Sequence, residues 1–182
     1  MCQVGRMVRY GKETPKIREF VKNLEKLTEI DWSYLAGLID GDGTVSVYHN
    51  KNSWTPTVKI TNSDRATMDI ISKMLKQKLY VYKKKSKART LPLYTLQIFS
   101  LHRLIPFLKG ITPFLKGKRK RAELLLELCQ SRAKADFIYD KNIDGRVTPR
   151  LEPYSEQEKE LIRTIRMLNS EGKGRHYSVE VI

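Results

Sequence analysis

Leu35-Ala36-Gly37-Leu38-Ile39-Asp40-Gly41-Asp42-Gly43 is the stretch on which the reading of this chain turns. Asp31 is suited to cap a short apolar helix over Trp32 to Ile39, and Gly41 and Gly43 mark its end. Asp40 and Asp42 then cluster at the helix C-terminus, where backbone carbonyls already make the potential negative. A carboxylate is disfavoured there unless a cation or hydrogen-bond donors compensate, and a divalent metal is the natural compensator. Ser33, Gly37 and Gly41 fall on one side of the same helix, a stripe without bulk along which a second helix can approach closely. Two copies packed in that way would set two Asp42 carboxylates side by side. Taken alone, a Gly- and Asp-rich helix end is more often an ordinary turn than a metal site.

Working outward, Pro15 to Leu27 carries Ile17, Phe20, Val21, Leu24 and Leu27 at helical spacing, an amphipathic helix ahead of the central stretch. After Gly43, Thr44 to Tyr48 and Thr55 to Thr61 alternate small polar and apolar residues, a two-stranded antiparallel unit turning around Asn50 to Trp54. Asp64 caps a helix running to about Lys78, buried through Met68, Ile71 and Leu75. Leu79 to Lys83 and Leu93 to Phe99 repeat the strand pair around the basic loop Lys84 to Thr90. Helices follow over Leu101 to Leu108 and Lys118 to Lys134, the second burying Leu124, Leu125 and Leu128. The order is α-ββ-α-ββ-α-α, an α+β chain. Asp136 to Pro153 has the composition of a connecting loop, Ser155 caps a last helix to Leu168, and Glu171 to Ile182 receives no assignment. The expected division is an N-terminal extension with a helix (1–30), a core (31–135), and a C-terminal loop, helix and tail (136–182).

The chain has 182 residues, with 35 Lys and Arg against 20 Asp and Glu, a formal net charge of +15. Polyanions should attract it strongly, in agreement with a nucleic-acid partner, and ribosomal and membrane-surface proteins carry such charge too. One domain with appendages is expected at this length, and 40% hydrophobic content supplies a core. No stretch approaches a transmembrane span, and Met1 to Arg9 lacks the apolar run of a signal peptide, so an intracellular protein without a membrane partner is expected. Cys2 and Cys129 lie far apart with no second Cys or His at ligand spacing, which argues for free thiols, Cys129 on a core-facing helix stripe. His49, His102 and His176 lack ligand spacing or a nearby nucleophile and read as surface or helix-start residues.

The nonapeptide resembles the signature of the LAGLIDADG homing endonucleases, with Gly41 where the family name has Ala. The resemblance runs from about Trp32 to Arg132 and includes Thr112-Pro-Phe-Leu-Lys-Gly-Lys-Arg-Lys-Arg-Ala122, similar to the basic turn after the second strand pair in single-motif members. It implies the αββαββα homing-endonuclease fold, whose four-stranded, saddle-like antiparallel sheet straddles DNA, here with N-terminal and C-terminal helical extensions. Only one copy of the signature is present, and single-motif members resemble half an enzyme, so a homodimer is implied, with Ser33, Ala36, Gly37 and Gly41 at the interface. The cytoplasm of a prokaryote, or the organelle that encodes the chain, is the implied compartment.

Site residues follow from the same resemblance. Asp42 matches the metal-binding aspartate; one copy from each subunit, with the Gly41 carbonyl, would hold Mg²⁺ between two scissile phosphates for phosphodiester hydrolysis leaving 3′ overhangs. Asp40 reads instead as a hydrogen-bonding residue at the helix end. Asn62 falls where the family carries a residue that orients metal-bound water. Lys118 matches a basic residue near the scissile phosphate, and Arg65 is a further, offset match. Lys116, Lys118, Arg119, Lys120 and Arg121 also form a run that could be a solvated face or touch phosphates, with Lys116 and Arg121 as DNA contacts.

Strand alternation supplies the recognition face, since the side opposite the core should be polar at every second residue. Ser46, Tyr48 and Asn50 belong to it, with Thr55, Thr57 and Lys59, and Lys83, Lys85, Thr95 and Gln97 continue it. A twisted ribbon bearing such donors and acceptors reads base edges in the major groove; the competing reading is an ordinary exposed sheet. The function expected is a site-specific, double-strand DNA endonuclease on a long pseudo-palindromic target. The alternatives are a maturase binding intron RNA, or a regulator of the same fold that binds DNA without cutting it.

Overall fold

A computed structural model of the chain describes residues 14–50, 53–82, 92–141 and 147–170. Thr14 caps the first helix, α1 (Pro15–Leu24), by accepting the Ile17 N–H, and Pro15 occupies a first-turn position where no backbone donor is required. Ile17, Phe20 and Leu24 face inward, and Phe20 is fully buried in the main core. The helix stops short of the expected Leu27, because Lys26 and Leu27 donate to the carbonyls of Asn23 and Leu24 in tight three-residue turns.

Helix α2 (Glu29–Asp42) carries the nonapeptide and begins earlier than the sequence suggests. Thr28, not Asp31, is its N-cap. The Thr28 hydroxyl accepts the Asp31 N–H at 3.2 Å while the Asp31 carboxylate accepts the Thr28 N–H at 2.9 Å, a reciprocal box that satisfies two orphan donors. The helix also runs through Gly41, and Gly43 alone terminates it, its N–H bonded to the Ile39 carbonyl. A Cβ on Gly43 would lie 2.6 Å from the Ile39 Cα, so only glycine lets the chain turn from helix directly into strand.

Strands β1 (Gly43–Asn50) and β2 (Ser53–Asn62) form the first antiparallel pair, longer than the expected Thr44 to Tyr48 and Thr55 to Thr61. Helix α3 (Arg65–Leu75) follows, capped as expected by Asp64, whose carboxylate accepts the N–H groups of Ala66 and Thr67. It ends before the expected Lys78 because Lys76 adopts a left-handed backbone (φ 49) and Ser72 Oγ donates to the Gln77 carbonyl. Strands β3 (Leu79–Tyr82) and β4 (Leu93–Ile98) complete one antiparallel sheet in the order β1-β2-β4-β3. Val45, Val58, Ile60, Leu96 and Ile98 line its core side.

Helices α4 (Leu101–Ile111) and α5 (Arg119–Arg132), joined through a 3-10 turn at Thr112–Phe114, cover that side together with α2. A Cβ on Gly110 would sit 2.5 Å from the Trp32 ring, so a bare backbone in α4 is what admits the tryptophan, which also tilts against Phe107. Cys129 of α5 is buried, and burial pushes its thiol pKa up to about 12, so it is an inert core thiol. Cys2 and His176 lie outside the described residues. Among the described residues no helix is long and apolar enough to cross a membrane.

One expectation is overturned in the C-terminal part. Residues assigned to a loop form a two-stranded antiparallel sheet, β5 (Phe137–Lys141) and β6 (Val147–Leu151). The β-forming runs at its two sides were outweighed by the Asp, Asn and Gly between them. Helix α6 (Glu156–Ser170) then begins at the expected Ser155 cap and adds Leu161, Ile162 and Ile165 to the common core. It is bound to α5 by a buried pair, Arg132 to Glu158 at 3.2 Å, with Ser131 and the Ser155 N–H donating to the same carboxylate. Glu158→Ala should cost about 3 to 5 kcal/mol in urea denaturation, because it strands a buried guanidinium. A loss below about 1 kcal/mol would show that α6 is not integral to the cooperative unit.

Candidate functional site

At the C-terminal end of α2, carbonyls without helical partners meet the turn that precedes α5. Asp40 accepts three backbone N–H groups from that turn: Lys116 at 2.7 Å, Gly117 at 3.1 Å and Lys118 at 2.8 Å. Burial raises its pKa, but these three donors and the charge of Lys118 outweigh that and hold the carboxyl below the ordinary carboxylate value. The contact is reciprocal. Lys118 Nζ donates to the carbonyls of Ile39 at 2.6 Å and Asp40 at 2.8 Å, placing a cation on the negative end of the helix. Helix α5 begins at Arg119 rather than at the expected Lys118, which is its N-cap residue but carries no side-chain acceptor to cap it.

Asp42 lies two residues further on and is exposed. Its Oδ2 accepts the Asn62 amide N–H at 2.6 Å, and the Asn62 carbonyl oxygen accepts the Asp64 N–H at 2.8 Å. The second bond fixes which way the amide points, since only its NH₂ remains for Asp42. Lys118 is close enough to respond to both acids. Burial and then the neighbouring Arg121 pull its pKa below that of an ordinary lysine, while Asp40 and Asp42 oppose them. The sequence-derived trio Asp42, Asn62 and Lys118 therefore converges on one corner of the fold, where the α2 end, the β2 end and the α5 start meet. Arg65 stands apart from this arrangement: its exposed guanidinium pairs with Asp69 one turn along α3. Arg121 donates to Asn169 of α6 at 3.3 Å, so part of its donor capacity is used within the chain.

The outward face of α2 has an unusual composition. Ser33, Gly37 and Gly41 are exposed, and a Cβ on either glycine would meet nothing within 4 Å. Ile30 is 82% exposed and Tyr34 41%. Ala36, expected on the same face, is a correction: it is 2% exposed and points into the chain's own core beside Leu35 and Ile39. A helix that is apolar or small on both sides leaves its periodicity without a polar marker, which is why the facing of Ala36 was misread.

Register fixes the polar face of the sheet, because direct cross-strand partners share a side. Ser46 opposes Thr57, Tyr48 opposes Thr55, Lys59 lies between Thr44 and Gln97, and Thr95 joins Thr61 to Tyr80. The alternation was therefore read in the correct sense on β1, β2 and β4. Exposure corrects part of the residue set, since Thr57 is 0%, Thr95 3% and Ser46 9% exposed. Their hydroxyls are engaged inside the sheet: Thr57 donates to the Ile98 carbonyl and accepts from Gln97, Thr95 pairs with Thr61, and Ser46 donates to the Val47 carbonyl. Tyr48, Thr55, Lys59 and Gln97 keep accessible surface on that face. Lys83, Lys85 and the Asn50 side chain lie outside the described residues. Tyr80 and Tyr82 were missed; the even-numbered series of β3, not the odd one, shares the face, a signal present in their i, i+2 spacing.

Residues 29–112 match the family model of the LAGLIDADG-like domain. Among solved structures, the chain is similar to an archaeal intron-encoded homing endonuclease, I-Vdi141I, complexed with DNA, at a TM-score of 0.57 and 15% identity over 84% of this chain and 90% of that one. It is similar also to the homing endonuclease I-CvuI in complex with its target in the presence of calcium, at a TM-score of 0.53 and 16% identity over 86% and 88% of the two chains. At these identities the likeness is one of fold. No curated protein sequence matches the chain.

The pKa of Asp40 has a testable consequence. Its folded value is depressed, so its stabilisation is complete above the unfolded carboxyl pKa of about 4 and is lost as pH falls through the lower folded value. Asp40→Asn should therefore destabilise by about 1 to 2 kcal/mol at neutral pH, after allowing for solvent screening of a partly exposed group. The gap to the native protein should close on acidification, as read by urea midpoints across pH. A gap that stays constant down to about pH 3 would contradict this assignment.

Proposed function

We propose that the chain, whose residues 29–112 match the LAGLIDADG-like domain and whose fold is that of the LAGLIDADG homing endonucleases, is a homodimeric, divalent-cation-dependent endonuclease acting on double-stranded DNA. The observation that carries the reading is the Asp42 corner. An exposed carboxylate, oriented by Asn62 and neighboured by Lys118, stands at the joint between a polar sheet face and an open helix face of small residues.

A hard cation suits the donors. Mg²⁺ is commonly held by one or two carboxylates, with water and substrate phosphate completing its shell, and Asp42 with the Gly41 carbonyl supplies oxygen only. Asp42 supplies one such carboxylate, and a second copy paired through α2 would bring another. The exposed Ile30, Tyr34, Ser33, Gly37 and Gly41 make α2 suited to pair with α2 of that copy, since an apolar helix face is rarely left to solvent. Bound there, the cation would acidify a water and offset charge on the leaving oxygen. The chain's own residues do the rest. Asn62 holds the carboxylate in place, Lys118 adds fixed positive charge beside the scissile phosphate, and Tyr48, Thr55, Lys59 and Gln97 face the grooves. The net charge of +15 draws the polyanion in.

Asp42→Asn should abolish Mg²⁺-dependent cutting in single-turnover assays on a target recovered from a randomised duplex library, while leaving duplex affinity largely intact. Native cleavage by that variant would overturn the proposal. Gly37→Leu should separate the paired helices, giving a monomer by sedimentation and a loss of double-strand cutting. A native chain that is monomeric both free and on its target would remove the dimer from the reading.

A further inference from the structure

On the flank of the sheet, away from the Asp42 corner, the C-terminal end of α3, the start of β3, the end of β4 and the start of α4 enclose a cavity of about 510 Å³. Phe99 at its rim lies five residues beyond Tyr94, the partner of Asn62, or about 17 Å along the strand. Its charge is one-sided: Lys16, Lys73, Lys76, Lys78 and Arg103 line it against Glu19 alone. Among the described residues Arg103 Nε is buried without any hydrogen-bond partner, although its Nη1 reaches Gln77 at 3.4 Å. The Nε is closed to solvent and the guanidinium carbon lies 5.8 Å from the Phe20 ring, so what Arg103 gives the cavity is positive charge in its wall rather than a donor to a ligand.

Two aromatic rings stand beside these cations, Tyr80 at 40% and Phe99 at 49% exposure, with Lys78 Nζ 5.4 Å from the Tyr80 centroid. Cations alone would suit any acidic partner. Cations interleaved with accessible rings and amide groups match a nucleotide, whose phosphate takes the charge and whose base takes the ring. Bases stacked inside a duplex offer no free face to Phe99. We propose that this pocket binds one unpaired nucleotide of a single-stranded nucleic acid, its phosphate among Lys73, Lys76 and Lys78 and its base against Phe99. The inference rests on the reading of the chain as a nucleic-acid enzyme and adds a single-strand site at the end of the duplex face, with which it shares Tyr80 and Gln97.

Fluorescence anisotropy with the full chain tests it, using a labelled oligothymidine decamer, an oligouridine decamer and a mixed-sequence duplex as probes. Phe99→Ala should weaken single-strand binding on the order of tenfold, Phe99→Trp should restore it, and Lys73→Glu should weaken it likewise. Duplex binding should change by less than roughly twofold with Phe99→Ala. Displacement of the decamer by thymidine monophosphate would identify a free nucleotide as the source of the ligand; resistance to it would identify the strand, and the two decamers distinguish DNA from RNA. The pocket assignment falls if the native chain binds neither decamer, or if Phe99→Ala affects duplex and single strand alike or neither. A native chain that cuts duplex DNA yet fails this test loses the pocket alone, whereas one that binds no duplex loses the endonuclease reading.

Discussion

The reciprocal contact between the α2 terminus and the Lys116 to Lys118 turn is the constraint from which the rest follows. A helix ending in two aspartates concentrates negative potential on carbonyls that have no partners. The turn answers with three N–H groups on Asp40 and one ammonium on the carbonyls of Ile39 and Asp40. Each side satisfies what the other leaves open, although the two are separated by more than seventy residues. With that joint made, the helix end is fixed, Gly43 turns the chain into β1, and Asp42 is held at the edge of the sheet.

A second set of ties holds the sheet from outside. Tyr154 Oη donates to the Trp54 carbonyl at 2.9 Å and accepts the Trp54 N–H at 3.0 Å, so one hydroxyl holds both backbone groups of a residue near the outer end of β2. Arg166 stacks over the Trp54 ring from α6 and Arg132 over Tyr154 from α5. At the other end of the pair, Asn169 donates to the Val45 carbonyl on the open side of edge strand β1 and accepts from Arg121. The C-terminal segment thus braces β1 and β2 at two points and occupies part of an edge that would otherwise be free to pair.

What was legible in the sequence was local. Helical periodicity, the Asp64 and Ser155 caps and strand alternation depend on neighbours a few residues away, and the element order follows from them. Boundaries depend on backbone conformations that leave no mark in residue type, and exposure depends on what is distant. The end of α3 is set by a left-handed lysine where glycine would have been the visible signal. The facing of Ala36 depends on core partners that a helix apolar on all sides does not announce. Thr57 and Thr95 were placed on the correct face, but their accessibility is decided by the long side chains around them on neighbouring strands. The resemblance named Asp42 and Asn62 separately; the structure joins them by a hydrogen bond and adds the Asp64 N–H that orients the Asn62 amide.

The two aspartates of the motif separate by how completely the chain compensates them. Asp40 receives three backbone donors and a cation, which hold its carboxyl below the ordinary carboxylate value and leave it little capacity for an incoming ligand. Asp42 receives one neutral amide and remains exposed. In a chain whose formal charge is +15, an acid left this open beside a fixed lysine has not been neutralised for stability. Such an acid stays available to something that arrives from solution carrying positive charge, and the open stripe of α2 alongside it leaves room for a second copy to bring another.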